Sequence, residues 1–246
     1  MICFASDIHL GSGDPAAARA VERRFVAWLD RAGREAGTVV LAGDVFDFWF
    51  EYGRVVPQGF VRTLGKLAEL TDRGVRVIFL TGNHDMWVNG YLERECGLEV
   101  YTAPQVLLLD GQRVFVAHGD NMCIEGRPML RLLNRVFRSR LLRRLFAWGV
   151  HPDLAMRFGR WWSGRSRKAH GEADALDVSH TDPLVGYARS YAAAHGVDRF
   201  VFGHMHAARD YREGALQVVC LGSWERSSSW AELDEAGRLT LKRSES

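Results

Sequence analysis

The stretch that decides the fold reads Val39-Val40-Leu41-Ala42-Gly43-Asp44-Val45-Phe46-Asp47. Its first four residues form a short apolar run, which predicts a buried β-strand that ends at Gly43. Asp44 follows this strand directly, at the edge where open α/β sheets bind their ligands. We therefore expect the carboxylate of Asp44 to belong to a functional site at the carboxyl edge of a sheet.

Four other apolar runs end in similar polar residues. The motifs that follow them are Asp7-Ile8-His9, Gly82-Asn83-His84-Asp85, His118-Gly119-Asp120 and Gly203-His204-Met205-His206. In the first and last motifs the donors lie at positions i and i+2, so they point the same way from an extended segment. Carboxylate, amide and imidazole donors without thiolate favour Mn, Fe or Zn. The five strand ends predict a metal site, in which Asp44 is our candidate for the ligand shared by two metals.

The motif from Gly82 to Asp85 carries the most specific chemistry. Gly82 allows the backbone to turn close to a bound group, and Asn83 offers a neutral carbonyl oxygen as a ligand. His84 can donate a proton or a positive charge to a phosphoryl oxygen, and we expect Asp85 to orient its imidazole. Asn83, His84 and Asp85 are therefore the catalytic candidates. A surface turn with a hydrogen-bonded histidine is the alternative interpretation.

Length and composition set broad limits. A chain of 246 residues can form one large α/β domain, or one domain that carries an insertion. The formal net charge of +2 implies no particular partner. The cysteines are Cys3, Cys96, Cys123 and Cys220, and their wide spacing favours buried free thiols over disulfides or a zinc site. Without a signal peptide or an apolar run near ~18 residues, we expect a cytoplasmic protein that is at most peripheral on a membrane.

The alternation of strands and helices stops between about Ile124 and Ser179. Leucines and aromatic residues recur there at helical spacings among many arginines, and Asp153 is the only acidic residue from Arg127 to Lys168. This pattern predicts a helical insertion over the metal edge, which we call the cap. A basic, aromatic and amphipathic cap suits an anionic membrane surface or an anionic lipid substrate. Nucleic acid binding and a merely solvated basic face are the alternatives.

Other elements follow from periodicity and turn residues. Helices are predicted from Ala16 to Ala36, from Gly59 to Asp72 and from Asp182 to Gly196. Val100–Leu109 and Gln112–Ala117 are predicted to pair as strands around the turn residues Asp110-Gly111. The aromatic run from Phe46 to Tyr52 allows two interpretations, ordinary packing or one wall of a substrate cleft. The remaining histidines, which match no ligand pattern, are His151, His170, His180 and His195.

The ordered motifs D-x-H, G-D, G-N-H-D, H-G-D and G-H-x-H resemble those of the calcineurin-like metallophosphoesterases from end to end of the chain. The resemblance implies an α/β fold, a four-layer α-β-β-α sandwich formed by residues 1–123 and 180–246, with the cap at residues 124–179. It also implies a centre of two divalent metals, usually Mn²⁺. One metal would be held by Asp7, His9, Asp44 and His206, and the other by Asp44, Asn83, His118 and His204.

A narrower resemblance is to the UDP-2,3-diacylglucosamine pyrophosphatases of lipid A biosynthesis. It is carried by Asp44-Val45-Phe46-Asp47-Phe48-Trp49, the basic cap, and Leu221-Gly222-Ser223-Trp224. Those enzymes cleave UDP-2,3-diacylglucosamine to UMP and 2,3-diacylglucosamine 1-phosphate (lipid X) on the cytoplasmic face of the inner membrane. The resemblance implies contact with that anionic surface through the cap and no nucleic acid partner. The substrate-binding residues would be Asn83, His84, Ser163, Arg167 and His204.

Three alternatives belong beside this interpretation. The best-known members of that family carry Arg where this chain has His84, which leaves a phosphodiesterase or phosphatase for soluble nucleotides as one alternative. A nuclease whose basic cap follows a phosphate backbone is the second, although the chain offers no separate DNA-capping domain. A non-catalytic scaffold on the same fold is the third. Scaffolds commonly lose metal ligands, whereas every ligand position is occupied here.

Overall fold

Two β-sheets form the centre of the fold. A computed structural model describes residues 1–122, 128–173, 183–225 and 228–244, the side chains of residues 130, 140, 160 and 165–173 excepted. Its strands are β1 (Ile2–Ala5), β2 (Thr38–Ala42), β3 (Arg76–Leu80), β4 (Glu99–Tyr101), β5 (Gln105–Leu109), β6 (Gln112–Ala117), β7 (Arg199–Phe202), β8 (Arg209–Glu213), β9 (Leu216–Cys220), β10 (Ser229–Leu233) and β11 (Leu239–Arg243). Its helices are α1 (Pro15–Glu35), α2 (Val61–Asp72), α3 (Tyr91–Cys96), α4 (Pro128–Phe137), α5 (Arg140–Gly149), α6 (Pro152–Ala173) and α7 (Pro183–His195).

The first sheet has the strand order β11-β10-β1-β2-β3-β4, and the second has the order β5-β6-β7-β9-β8. Strands β1 to β4 are parallel, as are β6, β7 and β9. Strands β5, β8, β10 and β11 pair antiparallel to their neighbours. Parallel strands bring their carboxyl ends to one edge. The loops after β1, β2, β3, β6 and β7 therefore carry all five predicted motifs.

Apolar side chains on both faces of each sheet explain the layering. Phe4 and Val40 of the first sheet pack against Val116 and Val201 of the second. The opposite face of the first sheet packs against α1 and α2, and the opposite face of the second packs against α7. Strands that are covered on both faces form continuous apolar runs, as in the stretch that ends at Gly43. The predicted α-β-β-α sandwich is confirmed.

The predicted single strand from Val100 to Leu109 is wrong. Pro104 has no backbone N–H to continue a ladder, and the chain crosses there from β4 in the first sheet to β5 in the second. The hairpin between β5 and β6 is confirmed, with Leu109 opposite Gln112. Asp110 and Gly111 have φ angles of 47° and 77°, as the tight hairpin turn requires.

The cap is helical, as predicted, through α4, α5 and α6. Polar bonds fasten it to the core: the indole N–H of Trp87 donates to the carbonyl oxygen of Phe137 at 2.8 Å, and Arg138 pairs with Asp120 at 2.9 Å. Residues 124–127 and 174–179 of the predicted cap lie outside the described residues, as do His180 and the side chain of His170. Among the helices that the structure describes, we find none whose length and apolarity would suit a bilayer crossing.

The aromatic run from Phe46 to Tyr52 packs beneath this cap. Phe46, Trp49 and Phe50 are buried, and the ring of Phe50 lies 5.4 Å from that of Phe146 in α5. Tyr52 donates its hydroxyl hydrogen to the carbonyl oxygen of Val150 at 3.2 Å. These contacts favour the packing interpretation, in which the run is the seat of the cap.

Candidate metal centre

Four of the predicted ligands have an unusual backbone conformation. The φ angles are 53° at Asp7, 48° at His9, 53° at Asp44 and 65° at His204, in the left-handed region that non-glycine residues rarely occupy. Backbone bonds between the loops hold this geometry, since Asp7 N–H donates to Gly43 O at 3.1 Å and His9 N–H to Asp44 O at 3.0 Å. Strained backbone of this kind persists where the surrounding structure fixes it, most often at functional sites.

The first group of donors contains Asp7, His9 and His206. Asp7 Oδ1 lies 3.7 Å from Nε2 of His9 and 3.7 Å from Nε2 of His206, and the two Nε2 atoms are 3.3 Å apart. Asp7 Oδ2 accepts the backbone N–H of His204 at 2.9 Å. Oδ1 is buried and has no hydrogen-bond partner among the described residues. A cation between these atoms would satisfy that oxygen, so the group fits a metal.

The second group contains Asp44, Asn83 and His118. His118 Nε2 lies 3.2 Å from Asp44 Oδ2 and 3.1 Å from Asn83 Oδ1. The other ring nitrogen, Nδ1, donates to the carbonyl oxygen of Ala42 at 3.0 Å. In the neutral imidazole this bond keeps the hydrogen on Nδ1 and leaves the lone pair of Nε2 for a metal. The ring of His204 lies 5.3 Å from that of His118, which brings this predicted ligand to the same place.

Asp44 and Asp7 connect the two groups. Ligand atoms of Asp7, Asp44 and His118 lie within 4.8 Å of one another, and so do those of His9, Asp44 and His84. A single buried carboxylate, that of Asp44, therefore faces both sets of imidazoles. Among the described residues the donors are oxygen and imidazole nitrogen throughout, a set that suits a divalent ion of the Mn, Fe or Zn type.

His84 lies against Asp44 and faces the same centre. Its backbone N–H donates to Asp44 Oδ1 at 2.8 Å, and its ring Nδ1 donates to the carbonyl oxygen of Asp47 at 2.9 Å. Nε2 is then directed to the centre, 3.8 Å from Asp44 Oδ2. The ring is buried.

The expectation that Asp85 orients the His84 imidazole is wrong. Asp85 points inward, where Oδ1 accepts the N–H of Gly82 at 2.7 Å and Oδ2 accepts the N–H of Val45 at 2.8 Å. It ties the loop after β3 to the loop after β2. The ring of His84 is oriented by the carbonyl oxygen of Asp47, a main-chain group that a side-chain pattern cannot reveal.

Burial and mutual charge shift the pKa values of the central groups. Burial raises the pKa of Asp7 to about 7, with Asp44 acting in the same direction. Burial and then Asp44 raise the pKa of Asp85 to about 6. Burial alone would raise the pKa of Asp44 too, but the imidazoles of His118 and His84 hold it well below its usual range. Burial would lower the pKa of His118, which the Asp44 carboxylate instead raises well above its ordinary value.

Glycines keep the centre open. A Cβ atom on Gly43 would lie 2.7 Å from Nδ1 of His118, and one on Gly203 would lie 2.7 Å from Oδ2 of Asp7. A Cβ atom on Gly82 would overlap Oδ1 of Asp44. Any side chain at these three positions would displace a predicted ligand, so the glycines shape the cradle in which a metal fits.

One side chain of the cap contacts a loop of the metal centre. Ser163 of α6 is buried and donates its hydroxyl hydrogen to Oδ1 of Asp47 at 2.5 Å. The side chain of Arg167, the other predicted cap residue, lies outside the described residues. Sequence reasoning named Ser163 for the substrate and gave Asp47 no role. The signal available was the position of Asp47, a carboxylate three residues after Asp44.

Comparison with known proteins agrees with this geometry. Residues 1–208 match the calcineurin-like phosphoesterase family. The chain is 39% identical to a UDP-2,3-diacylglucosamine hydrolase of Porphyromonas gingivalis, over 95% of this chain and 94% of that protein. It is 30% identical to a protein of the same name from Edwardsiella ictaluri, over 95% of this chain and 88% of that protein.

Proposed function

Because this chain belongs to the calcineurin-like phosphoesterase family, we propose that it is a dinuclear metal hydrolase that cleaves UDP-2,3-diacylglucosamine. The products are UMP and 2,3-diacylglucosamine 1-phosphate. The observation that carries the proposal is the convergence of two donor groups on the buried carboxylate of Asp44. Relatives that match 95% of the chain bear the name of this activity.

The ligand assignment is part of the proposal. One metal is held by Asp7, His9, Asp44 and His206, and the other by Asp44, Asn83, His118 and His204. The oxygen and imidazole donors suit Mn, Fe or Zn. Among these we propose Mn²⁺, the ion that the family resemblance implies. Two adjacent divalent ions activate water and stabilise the oxygens of an in-line displacement at phosphorus.

The residues of the chain have separate tasks in this scheme. His84 keeps a proton on Nδ1 through the carbonyl oxygen of Asp47, and its Nε2 stabilises charge on the phosphoryl group or protonates the leaving oxygen. Asn83 and His204, which lie near His118, are the other residues proposed to contact the phosphoryl oxygens. Asp85 holds the loop that carries Asn83 and His84 against the loop that carries Asp44.

The cap, residues 124–179, receives the acyl chains and meets the membrane. Trp148 is 89% exposed, and Met129, Leu141 and Trp161 are each more than half exposed. Exposed arginines accompany them on the same helices, namely Arg131, Arg135, Arg144 and Arg157. Apolar side chains beside cationic ones fit the surface of an anionic bilayer, which we propose to be the cytoplasmic face of the inner membrane. Of the two cap residues predicted to bind the sugar phosphate, we assign that task to Arg167 of α6, because the hydroxyl of Ser163 is buried and donates to Asp47.

The test is release of UMP from UDP-2,3-diacylglucosamine in the presence of Mn²⁺, with bis-p-nitrophenyl phosphate as a substrate that has no acyl chains. We expect hydrolysis of both. Hydrolysis of the small diester alone would retain the metal centre and reject the lipid substrate in favour of soluble phosphodiesters. Salt-sensitive sedimentation with anionic vesicles tests the membrane contact, and equal sedimentation with neutral vesicles would contradict it.

Asp44→Ala is the control for the centre. Because Asp44 faces both donor groups, its removal should abolish turnover of both substrates and retention of metal after dialysis. Full activity in this variant would contradict the bridging role.

A further inference from the structure

Asp47 contacts three separate parts of the molecule. Its carbonyl oxygen accepts the ring N–H of His84 at 2.9 Å. Its carboxylate Oδ1 accepts the hydroxyl hydrogen of Ser163 at 2.5 Å and lies 3.9 Å from Nδ1 of His9. Asp47 is 4% exposed and Ser163 is 1% exposed, so water competes with neither contact. One residue thus links a predicted metal ligand, the candidate catalytic imidazole and the cap.

The contact with the cap depends on how α6 is seated. Ala155, Gly159 and Ser163 are buried at a spacing of four residues, on the face of α6 that meets the core. The backbone of Gly159 lies so close to Phe48 that a Cβ atom would overlap the ring. Ser163 follows Gly159 by four residues on this face and reaches the carboxylate of Asp47 from there.

The energetics favour an effect on the imidazole of His9. A hydrogen bond to a buried carboxylate contributes about 1.5–3 kcal/mol, more than one in water. The hydroxyl of Ser163 therefore restrains the Asp47 carboxylate on the side of His9. At 3.9 Å this carboxylate is beyond hydrogen-bond distance of Nδ1, so it acts on the ring through its charge. The peptide whose oxygen holds His84 is fixed separately, since Asp47 N–H donates to Leu10 O at 3.0 Å.

We propose that Asp47 is a positioning residue that couples the seating of the cap to the metal centre. When α6 is seated, Ser163 holds the Asp47 carboxylate beside His9. When α6 lifts, the carboxylate loses that restraint, the charge beside the His9 imidazole shifts, and turnover falls. This inference rests on the proposed metal ligands and not on the identity of the lipid substrate.

The kinetic test uses the small diester bis-p-nitrophenyl phosphate, which cannot gain affinity from acyl-chain contacts with the cap. Ser163→Ala should lower kcat by about 10-fold, equivalent to about 1.4 kcal/mol, and leave KM unchanged. In an Asp47→Ala background the same substitution should have no further effect, because the two residues act as one unit. An unchanged kcat in Ser163→Ala, or effects that multiply in the double variant, would overturn the proposal.

Ser139→Ala is the matched control. Ser139 is also a cap serine, and its hydroxyl oxygen accepts the N–H of Leu142, but it lies at the start of α5 and not on α6. Its loss should lower stability by about 1 kcal/mol, as for other helix caps, and leave kcat unchanged. Equal losses of kcat in Ser139→Ala and Ser163→Ala would show a general loosening of the cap and would overturn the proposal.

A second test does not depend on activity. Coupling between two sites is reciprocal, so metal that orders His9 should in turn hold α6 in place. Adding Mn²⁺ to the metal-free protein should slow amide hydrogen exchange in residues 155–163 of the unmodified chain and not in Ser163→Ala. Equal slowing in both would contradict the coupling. If the lipid is not hydrolysed but these results hold, the proposed substrate fails and the coupling stands.

Discussion

At the scale of single residues, the backbone shapes the metal centre as much as its side chains do. Asp7, His9 and Asp44 hold left-handed φ angles near 50°, while Gly43 and Gly82 leave no room for a Cβ atom between the loops. The motif letters predict which side chains carry oxygen and nitrogen. They do not reveal that carbonyl oxygens of Ala42 and Asp47 fix the tautomers of His118 and His84.

Gly82→Ala should disrupt the centre, because the added Cβ would overlap Oδ1 of Asp44. We expect loss of bound metal after dialysis and a fall in turnover of more than about 100-fold, since small displacements of catalytic groups cost that much. Gly65→Ala is the matched control, because a Cβ at this exposed position in α2 meets nothing within 4 Å. It should gain up to about 1 kcal/mol of stability from helix propensity and keep its metal.

His84→Ala should separate chemistry from metal binding. His84 contacts Asp44 through its backbone N–H, which the substitution retains, and its ring is not among the proposed ligands. We expect kcat to fall by about 10²–10⁴-fold, the usual contribution of a general acid, with metal content unchanged. The measurement is the metal content of the variant by atomic emission. Loss of metal would show that His84 is a ligand and would contradict its role as a general acid.

At the scale of elements, α6 is positioned by the absence of a side chain. Gly159 lets the helix approach Phe48, which in turn packs against the ring of Trp87 at 5.7 Å. This contact joins the cap to the loops that follow β2 and β3. Phe48 and Gly159 are over a hundred residues apart in the chain, so their contact could not be predicted from the sequence around either one.

Gly159→Ala should lift α6 from its seat. Overpacking of this kind costs about 1–3 kcal/mol, which thermal unfolding can measure. Hydrolysis of the lipid substrate should fall further than stability alone explains, because the cap receives the acyl chains in our proposal. A Cβ atom on Gly149 in α5 meets nothing within 4 Å, so Gly149→Ala should lose no stability and leave hydrolysis unchanged. If the two variants unfold at the same temperature, the close packing of Gly159 does not contribute to the free energy of unfolding.

The strands that sequence reasoning found and missed differ in physical character. β2 and β7 are buried on both faces, so their apolar runs are visible in the sequence. β8 contains four charged residues in five and lies at the edge of its sheet, where no apolar pattern is required. The short helix α3 spans six residues, too few to show a helical period. The sequence therefore predicts the buried strands that carry the proposed ligands, and not the edge strand or the short helix.

At the scale of the whole molecule, the centre stores unfavourable charge that a metal would relieve. Burial raises the pKa of Asp7 to about 7 and that of Asp85 to about 6, and Asp44 raises that of His118 well above its ordinary value. Groups with a raised pKa in the folded state stabilise the fold at low pH, and this stability is lost as the pH rises. Asp44, with its lowered pKa, stays ionised and contributes equally from about pH 5 upward.

The metal-free protein should therefore be less stable at pH 8 than at pH 6. Added Mn²⁺ should raise the unfolding temperature more at pH 8, where protons compete less for Asp7 and His118. A difference of about 1 kcal/mol corresponds to about 2–4 °C for a protein of this size. Thermal unfolding in chelator and in Mn²⁺ at the two pH values measures it. A larger metal effect at pH 6 would contradict this balance of charges.

Residues that are far apart in the chain meet at the metal centre. Asp7 accepts the N–H of His204, and His9 lies against His206; the two residues of each pair are 197 positions apart. Proteins are synthesised from the amino end at about 5–20 residues per second, so the first half of the centre waits many seconds for the second. Until His206 is translated, the emerging polypeptide has an incomplete set of ligands for the proposed metals. Hydrolytic activity thus begins only after synthesis has passed His206, and a chain that terminates before this residue stays catalytically silent.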